Sequence, residues 1–178
     1  MRLDRFTVKA QEALQAGQAL AAGRGHQAVL PEHVLAALLD DPESVAGAIV
    51  ERLGVNRREL DAQLQSRLQS TPSVSGAPGG QYLSPELGRC LQGAQDEAER
   101  LKDEYTSTEH ILLAMADPAV EFGRWLCSLG IDRDAIYRTL AGVRGRQRVT
   151  DQNPESTYQA LERYGRDLTD LARKGKLD

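Results

Sequence analysis

The chain has 178 residues, a formal net charge of −4 and 40% hydrophobic residues. That length allows one domain of ordinary size with an appendage, and a core that needs no covalent staples. The mild acidity argues against nucleic acid as a main partner; no apolar run approaches ~18 residues and no secretory leader precedes the first amphipathic stretch, so a membrane role is not expected and the chain is placed in the cytoplasm.

From Thr7 onward the apolar spacing is helical. Ala10, Ala13, Leu14, Gly17 and Ala21 recur at three and four residues, and Thr7 stands where a hydroxyl would cap the first turn. A short second helix is predicted over about 31–40 and a third running to Leu53, where Gly54 supplies the left-handed stop. Asn56-Arg57-Arg58-Glu59 reads as a capping box opening a fourth helix, with Leu60, Leu64 and Leu68 on one face. Thr71–Gly80 is rich in Pro, Gly and Ser and reads as a flexible linker.

The same series then begins again. Ser84 is the next hydroxyl cap and Pro85 holds the first helical position, where its missing N–H costs nothing. Leu87, Cys90, Leu91, Ala94, Ala98 and Leu101 carry the stripe. Short helices follow at about 108–116 and up to Leu129, stopped by Gly130, and a last one starts at Asp132 with Ile136 and Leu140 inward.

The two series are copies. Leu30-Pro31-Glu32-His33-Val34-Leu35 returns as Ser107-Thr108-Glu109-His110-Ile111-Leu112, a shift of 77 residues (110 − 33), and Leu53-Gly54-Val55-Asn56 returns as Leu129-Gly130-Ile131-Asp132 at a shift of 76. The expected architecture is therefore all-α, a duplicated four-helix repeat with about eight helices and pseudo-two-fold symmetry. The domain is expected over 1–143, with repeat one at 6–70, a linker at 71–81 and repeat two at 82–143. Residues 144–155 read as a solvated linker around Arg144, Arg146 and Arg148. Residues 156–178 read as a helical tail with Tyr158, Leu161, Tyr164, Leu168 and Leu171 as its apolar stripe, partly ordered at best without a partner.

The chemical inventory is short. Cys90 and Cys127 lack a Cys-x-x-Cys spacing and read as small buried helix residues. His33 and His110 occupy equivalent first-turn positions, which favours a structural role over ligation, and His26 stands alone in a loop. No His-x-x-x-His or Glu-x-x-His spacing offers a metal site. Gly175-Lys176 is followed by Leu177 and preceded by Asp170 where a P-loop needs Gly, so no nucleotide site is expected. What remains is surface: a groove where the copies meet, with apolar side chains beside polar groups such as Asp103 and Glu109. The asymmetry between the copies is the place to look for it, and Asp103 has Gln27 and Ala28 near its position in the first copy.

Several stretches resemble a known family. The duplicated Glu-His-(Val/Ile)-Leu pattern resembles the Clp repeat, the amino-terminal domain of Clp/Hsp100 AAA+ unfoldases, and the ClpB group within it. Met1-Arg2-Leu3-Asp4-Arg5-Phe6-Thr7 and Gly80-Gln81-Tyr82-Leu83-Ser84 look like that group's two openings. Val149-Thr150-Asp151-Gln152 and Ala160–Thr169, ending Gly175-Lys176-Leu177-Asp178, look like its tail. The resemblance covers the whole chain. It implies a substrate-engaging domain of a homohexameric, ATP- and magnesium-dependent disaggregase that works with the DnaK system on unfolded or aggregated polypeptide. This chain would stop where the ATPase begins, would itself be no enzyme and would bind no cofactor, and the fragment would be monomeric. Residues implied in polypeptide binding are Thr7, Val8, Leu91, Asp103, Glu109, His110 and Ile111; Gly93 and His110 stand where relatives can carry leucine. Two other readings stay open: an adaptor-docking domain of the ClpA or ClpC kind, and a free-standing helical binding protein.

Overall fold

Most helices begin where a short polar side chain takes up an orphan amide. In the computed structural model, which describes residues 3–74, 80–156 and 158, Thr7 Oγ1 accepts from the Ala10 amide, Ser84 Oγ from Leu87, Asn56 Oδ1 from Glu59 and Asp132 Oδ1 from Ala135. The capping box expected at Asn56 is thus made in its forward half. Among the described residues there are eight α-helices after a 3-10 turn at Leu3–Arg5: α1 (Val8–Gly23), α2 (Pro31–Leu39), α3 (Val45–Arg52), α4 (Arg57–Gln69), α5 (Pro85–Arg100), α6 (Thr108–Met115), α7 (Glu121–Ser128) and α8 (Arg133–Arg144). Gly54 and Gly130 follow α3 and α7 with φ of 71° and 90°, the left-handed stops the spacing predicts.

Two very short strands have no counterpart in the helical reading. β1 (Ala28–Val29) and β2 (Tyr82–Leu83) pair in parallel, with Ala28 opposite Tyr82 and Val29 opposite Leu83. A second parallel bridge joins Phe6 to Thr106. Adding the repeat shift of 77 to Phe6 and Val29 gives Leu83 and Thr106, so the two pairings are one contact seen twice. The stretch before the first helix of each copy pairs with the stretch before the second helix of the other. The amides of Thr7 and Ser84 close the pattern on the carbonyls of Thr106 and Val29, both at 2.9 Å.

Helix packing follows the same symmetry within each copy and departs from it between them, since α7 makes no contact equal to that of its mate α3. α1 lies on α2 and α5 on α6, while α3 crosses to the other copy and packs on α6 and α8. The Ala–Gly stripe of α1 is what permits close approach, since a Cβ on Gly17 would come within 3.1 Å of the Val34 side chain. Gly47 and Gly123, equivalent at the shift of 76, are tighter still: a Cβ on either would run into the backbone carbonyl of Asp41 or Asp117. Phe6, Leu35, Leu38, Ile49 and Leu60 join Leu87, Leu91, Ile111, Leu112 and Met115 in one continuous core. Thr108 Oγ1 ties the copies further by accepting from the Ala46 amide at the start of α3.

Beyond α8 the reading of 144–155 as a solvated linker needs correcting. Arg146 and Arg148 are exposed, but Arg144 and Val149 are buried. Residues 154–156 and 158 are helical, and Tyr158 reaches the core. The rest of the expected tail, including Leu161, Tyr164, Leu168 and Leu171, lies outside the described residues. Cys90 is buried as expected, whereas Cys127 is half-buried.

Candidate functional site

A groove of about 840 Å³ opens between α5, α6 and α7 of the second copy and the start of α2 and end of α4 of the first. Its floor is small and apolar, with Cys90, Gly93, Ala114, Met115, Val120 and Phe122. Glycine at position 93 and alanine at 114 keep it open, because a Cβ on Gly93 would already stand 3.3 Å from that of Ala114. The Cys90 thiol is inert here: burial pushes it up to about 12.

The rim carries both signs of charge. Glu97 is 3% exposed and is held by Arg100 Nη1 at 2.9 Å, by Arg133 and by the Tyr137 hydroxyl, which donates to it at 2.5 Å. Burial works to raise its pKa, but the Tyr137 hydroxyl and the arginines outweigh burial and hold this carboxyl below the usual carboxylate range. At the opposite wall Arg67 stacks over Trp125 (4.6 Å to the ring centroid) and Phe122 (5.5 Å). It pairs with Glu121 at 2.6 Å and faces Glu32 at 3.4 Å. Glu32 is pushed upward by burial, with Arg67 opposing.

The pseudo-symmetry supplies a second groove of about 250 Å³ in the first copy. Lys9, Glu12, Ala13, Ala16, Ala37 and Leu38 line it where Glu86, Arg89, Cys90, Gly93, Ala114 and Met115 line the larger one, each pair 77 residues apart. The signs at the first two positions are reversed. Lys9 spans the small groove's edge, donating to Asp41 at 3.0 Å with Glu43 at 3.7 Å. The Asp41 bond leads the effects that raise its pKa. One groove is open and its mate is strapped by ion pairs.

Six of the seven residues expected to line a groove are buried. Thr7, Leu91, Glu109, His110 and Ile111 have no exposure and Asp103 has 9%; Val8 alone is exposed, at 43%. The physical reasons differ. Leu91 and Ile111 face the core, and Thr7 is spent as a cap. Asp103 is a saturated hub: Arg144 Nη2 reaches both its oxygens (3.1 and 2.8 Å), His110 Nε2 donates at 2.7 Å and the Val149 amide at 2.9 Å. Burial again works upward on Asp103, and the His110, Val149 and Arg144 bonds overcome it. Glu109 takes Arg144 Nη1 at 2.9 Å.

The histidines have a clear structural job. His33 Nδ1 accepts the Leu30 amide at 2.9 Å and His110 Nδ1 the Ser107 amide at 2.8 Å, so each ring covers the N-cap N–H of its helix. That bond places the ring proton on Nε2. In the second copy the proton goes to Asp103; in the first it goes to His26 Nδ1 at 2.8 Å. His26 is therefore not alone, and it is the true counterpart of Asp103, where Gln27 and Ala28 were expected. The shift of 77 joins positions 26 and 103 directly, a signal already present in the sequence.

Two mated copies with exchanged strand pairings and an open groove between them define a duplicated all-α domain. Residues 5–129 match the Clp repeat (R) N-terminal domain, and the chain belongs to that family. It is 40% identical over 181 residues to "Chaperone protein ClpB" of Bacillus cereus and 42% identical over 183 residues to that of Nitratidesulfovibrio vulgaris. Both alignments take in 100% of this chain and 21% of the relative, so the chain spans about a fifth of the length of the curated relatives it matches. The Hsp104 N-terminal domain from Candida albicans has the same fold, with a TM-score of 0.73 and 24% identity over 84% of this chain and 98% of that one. So does the ClpV N-domain solved as a complex with a VipB peptide, with a TM-score of 0.63 and 24% identity over 77% of this chain and 85% of that one. Among the described residues no helix is long and apolar enough to cross a membrane.

Proposed function

We propose that this chain is the polypeptide-engaging N-terminal domain of a ClpB-type disaggregase, which takes up segments of unfolded or aggregated protein in the α5–α6–α7 groove for hand-over to a hexameric ATPase. The supporting observation is the groove itself, an open trough of about 840 Å³ with an apolar floor and a rim of both charges. Such a rim tolerates many sequences while the floor rewards any aliphatic side chain. ATP, magnesium and the DnaK system would act with the remainder of the parent.

Magnitudes favour weak capture. A segment burying roughly 400 Å² of apolar surface gains about 10 kcal/mol gross at ~25 cal/mol/Å², and association costs about 4–15 kcal/mol. One groove would bind loosely, and six tethered copies would raise the effective affinity without new contacts. Titrating the isotope-labelled chain with an unfolded casein is expected to shift the amides of Gly93, Ala114 and Val120. Shifts that scatter over the surface, or their absence at saturating casein, would sink this reading.

The ClpV N-domain solved with a VipB peptide favours a second reading, in which the groove docks one defined partner segment as an adaptor site. Competition separates the two. A general substrate groove is blocked by many unrelated unfolded chains with similar affinity, an adaptor site by one.

A further inference from the structure

After α8 the chain turns at Gly145, whose φ is 60°, and runs back across the second copy. The Val149 amide donates to Asp103 Oδ1 at 2.9 Å, and its carbonyl accepts the Glu104 amide at 2.8 Å. The Gln152 carbonyl accepts the Val8 amide at 2.8 Å, satisfying an orphan donor in the first turn of α1, and Gln152 Nε2 donates to the Asp4 carbonyl at 3.0 Å. Val149 is fully buried and Tyr158 reaches the core. Residues 145–156, with Tyr158, thus form a strap over the loop at 102–104 and the start of α1. The first copy has a plainer version: the Val74 amide donates to the Gly25 carbonyl at 2.9 Å, and Gly25 is the repeat-mate of Lys102, both left-handed with φ of 73° and 59°.

The strap buries two groups badly, the Tyr158 hydroxyl and, at greater cost, the Glu155 carboxyl. Glu155 is 3% exposed, and among the described residues no other residue gives its carboxyl oxygens a hydrogen-bond partner, its own backbone amide alone acting on them. The charged groups acting on it come from three elements: Glu109 on α6 and Asp41 after α2 are negative, and Lys9 on α1 is positive. Among the described residues Glu109 has one buried oxygen without a partner of its own. Lys9 is already engaged by Asp41 at 3.0 Å, so an ionised carboxylate in that place is poorly compensated, while a protonated one costs less. We propose that the strap docks with Glu155 protonated and lifts off when that carboxyl ionises.

Burial, ahead of the neighbouring acids, pushes Glu155 up to about 7, against roughly 4.3 for a free glutamate. The docked state therefore binds the extra proton between those two values. Docking weakens as pH rises through that window and is constant above it. Release frees 12 residues (145–156), which as a flexible chain reach about 20 Å, and it bares the edge of Asp103. The inference stands on the strap alone and is independent of what the groove binds.

Hydrogen exchange on the full chain tests it, with rates corrected for intrinsic pH dependence. Between pH 5 and pH 8 the Val8 and Val149 amides are expected to lose protection by about tenfold or more, while α5 amides hold. Glu155→Gln, which keeps the shape and removes the charge, should make both strap amides insensitive to pH. At pH 8 trypsin should cut after Arg146 and Arg148 faster in the wild type than in Glu155→Gln. A flat wild-type profile, an equal response in Glu155→Gln, or α5 amides that move together with Val8 and Val149 would each overturn the proposal.

Discussion

His33 hands its Nε2 proton to His26 Nδ1 across 2.8 Å in a place that excludes water. Both rings must stay neutral for that bond to exist. A second proton on His26 would set two N–H groups against each other. Burial, followed by the charges of His26 and Arg24, depresses His33 to about 4, and burial also lowers His26.

The consequence is acid sensitivity in the first copy. Unfolded histidine takes a proton near ~6.5, so as pH falls from there towards 4 the unfolded chain binds protons that the folded one refuses. Stability is expected to drop by about 2–3 kcal/mol over that window. Urea midpoints of Glu155→Gln at pH 7 and pH 4.5, in which the opposing Glu155 titration is removed, check the loss, and a His33 ring titration by NMR with an apparent pKa near ~6.5 would contradict it.

Gly47 and Gly123 are expected to resist replacement. Alanine at either must displace the Asp41 or Asp117 carbonyl, and each substitution should cost about 2–4 kcal/mol. Gly88, inside α5 with open space around a Cβ, is the control. Gly88→Ala should stabilise by about 0.5–1 kcal/mol through helix propensity. Thermal unfolding of the three variants would show the opposite signs.

Arg67 joins α4 of one copy to α7 of the other by stacking and by charge at once. Arg67→Ala should cost about 2 kcal/mol and shift Trp125 emission to the red as its face opens to water. Arg67→Lys keeps the charge but loses the planar fork and the stack, and should recover less than half of the loss. Full recovery by lysine would mean that charge alone holds the copies together there.

The two grooves give a paired test of engagement. Val120→Asp puts a charge on the floor of the open groove and should weaken binding of an unfolded polypeptide about 5–10-fold, with the unfolding midpoint not lowered because Val120 is 38% exposed and stands at the N-cap of α7, where Asp is favourable. Lys9→Gln, at the strapped mate, should leave binding as it was. Equal effects from both variants would argue for a non-specific surface.

Local signals carried much of the fold. Thr7, Ser84, Gly54 and Gly130 act through neighbours three or four residues away, and their roles could be read directly. The exchanged strands could not, because Ala28–Val29 and Tyr82–Leu83 are too short to show a period and their partners lie more than fifty residues off. The same limit hid the hub at Asp103, whose charge looks misplaced at a helix end until Arg144, 41 residues later, is brought against it. The groove was closer to legible: lining up Lys9 and Glu12 with Glu86 and Arg89 shows a face whose charges invert while its small apolar residues persist.

The pairing of Phe6 with Thr106 and of Val29 with Leu83 means that neither half owns a complete set of contacts. Each half lends an edge and borrows one in return. A single half, expressed by itself, would find its missing edge only in a second identical half, and two such halves would close on one another as a symmetric dimer. In the present chain the connection through 71–81 turns that encounter between molecules into an event within one, so the joint forms at any dilution.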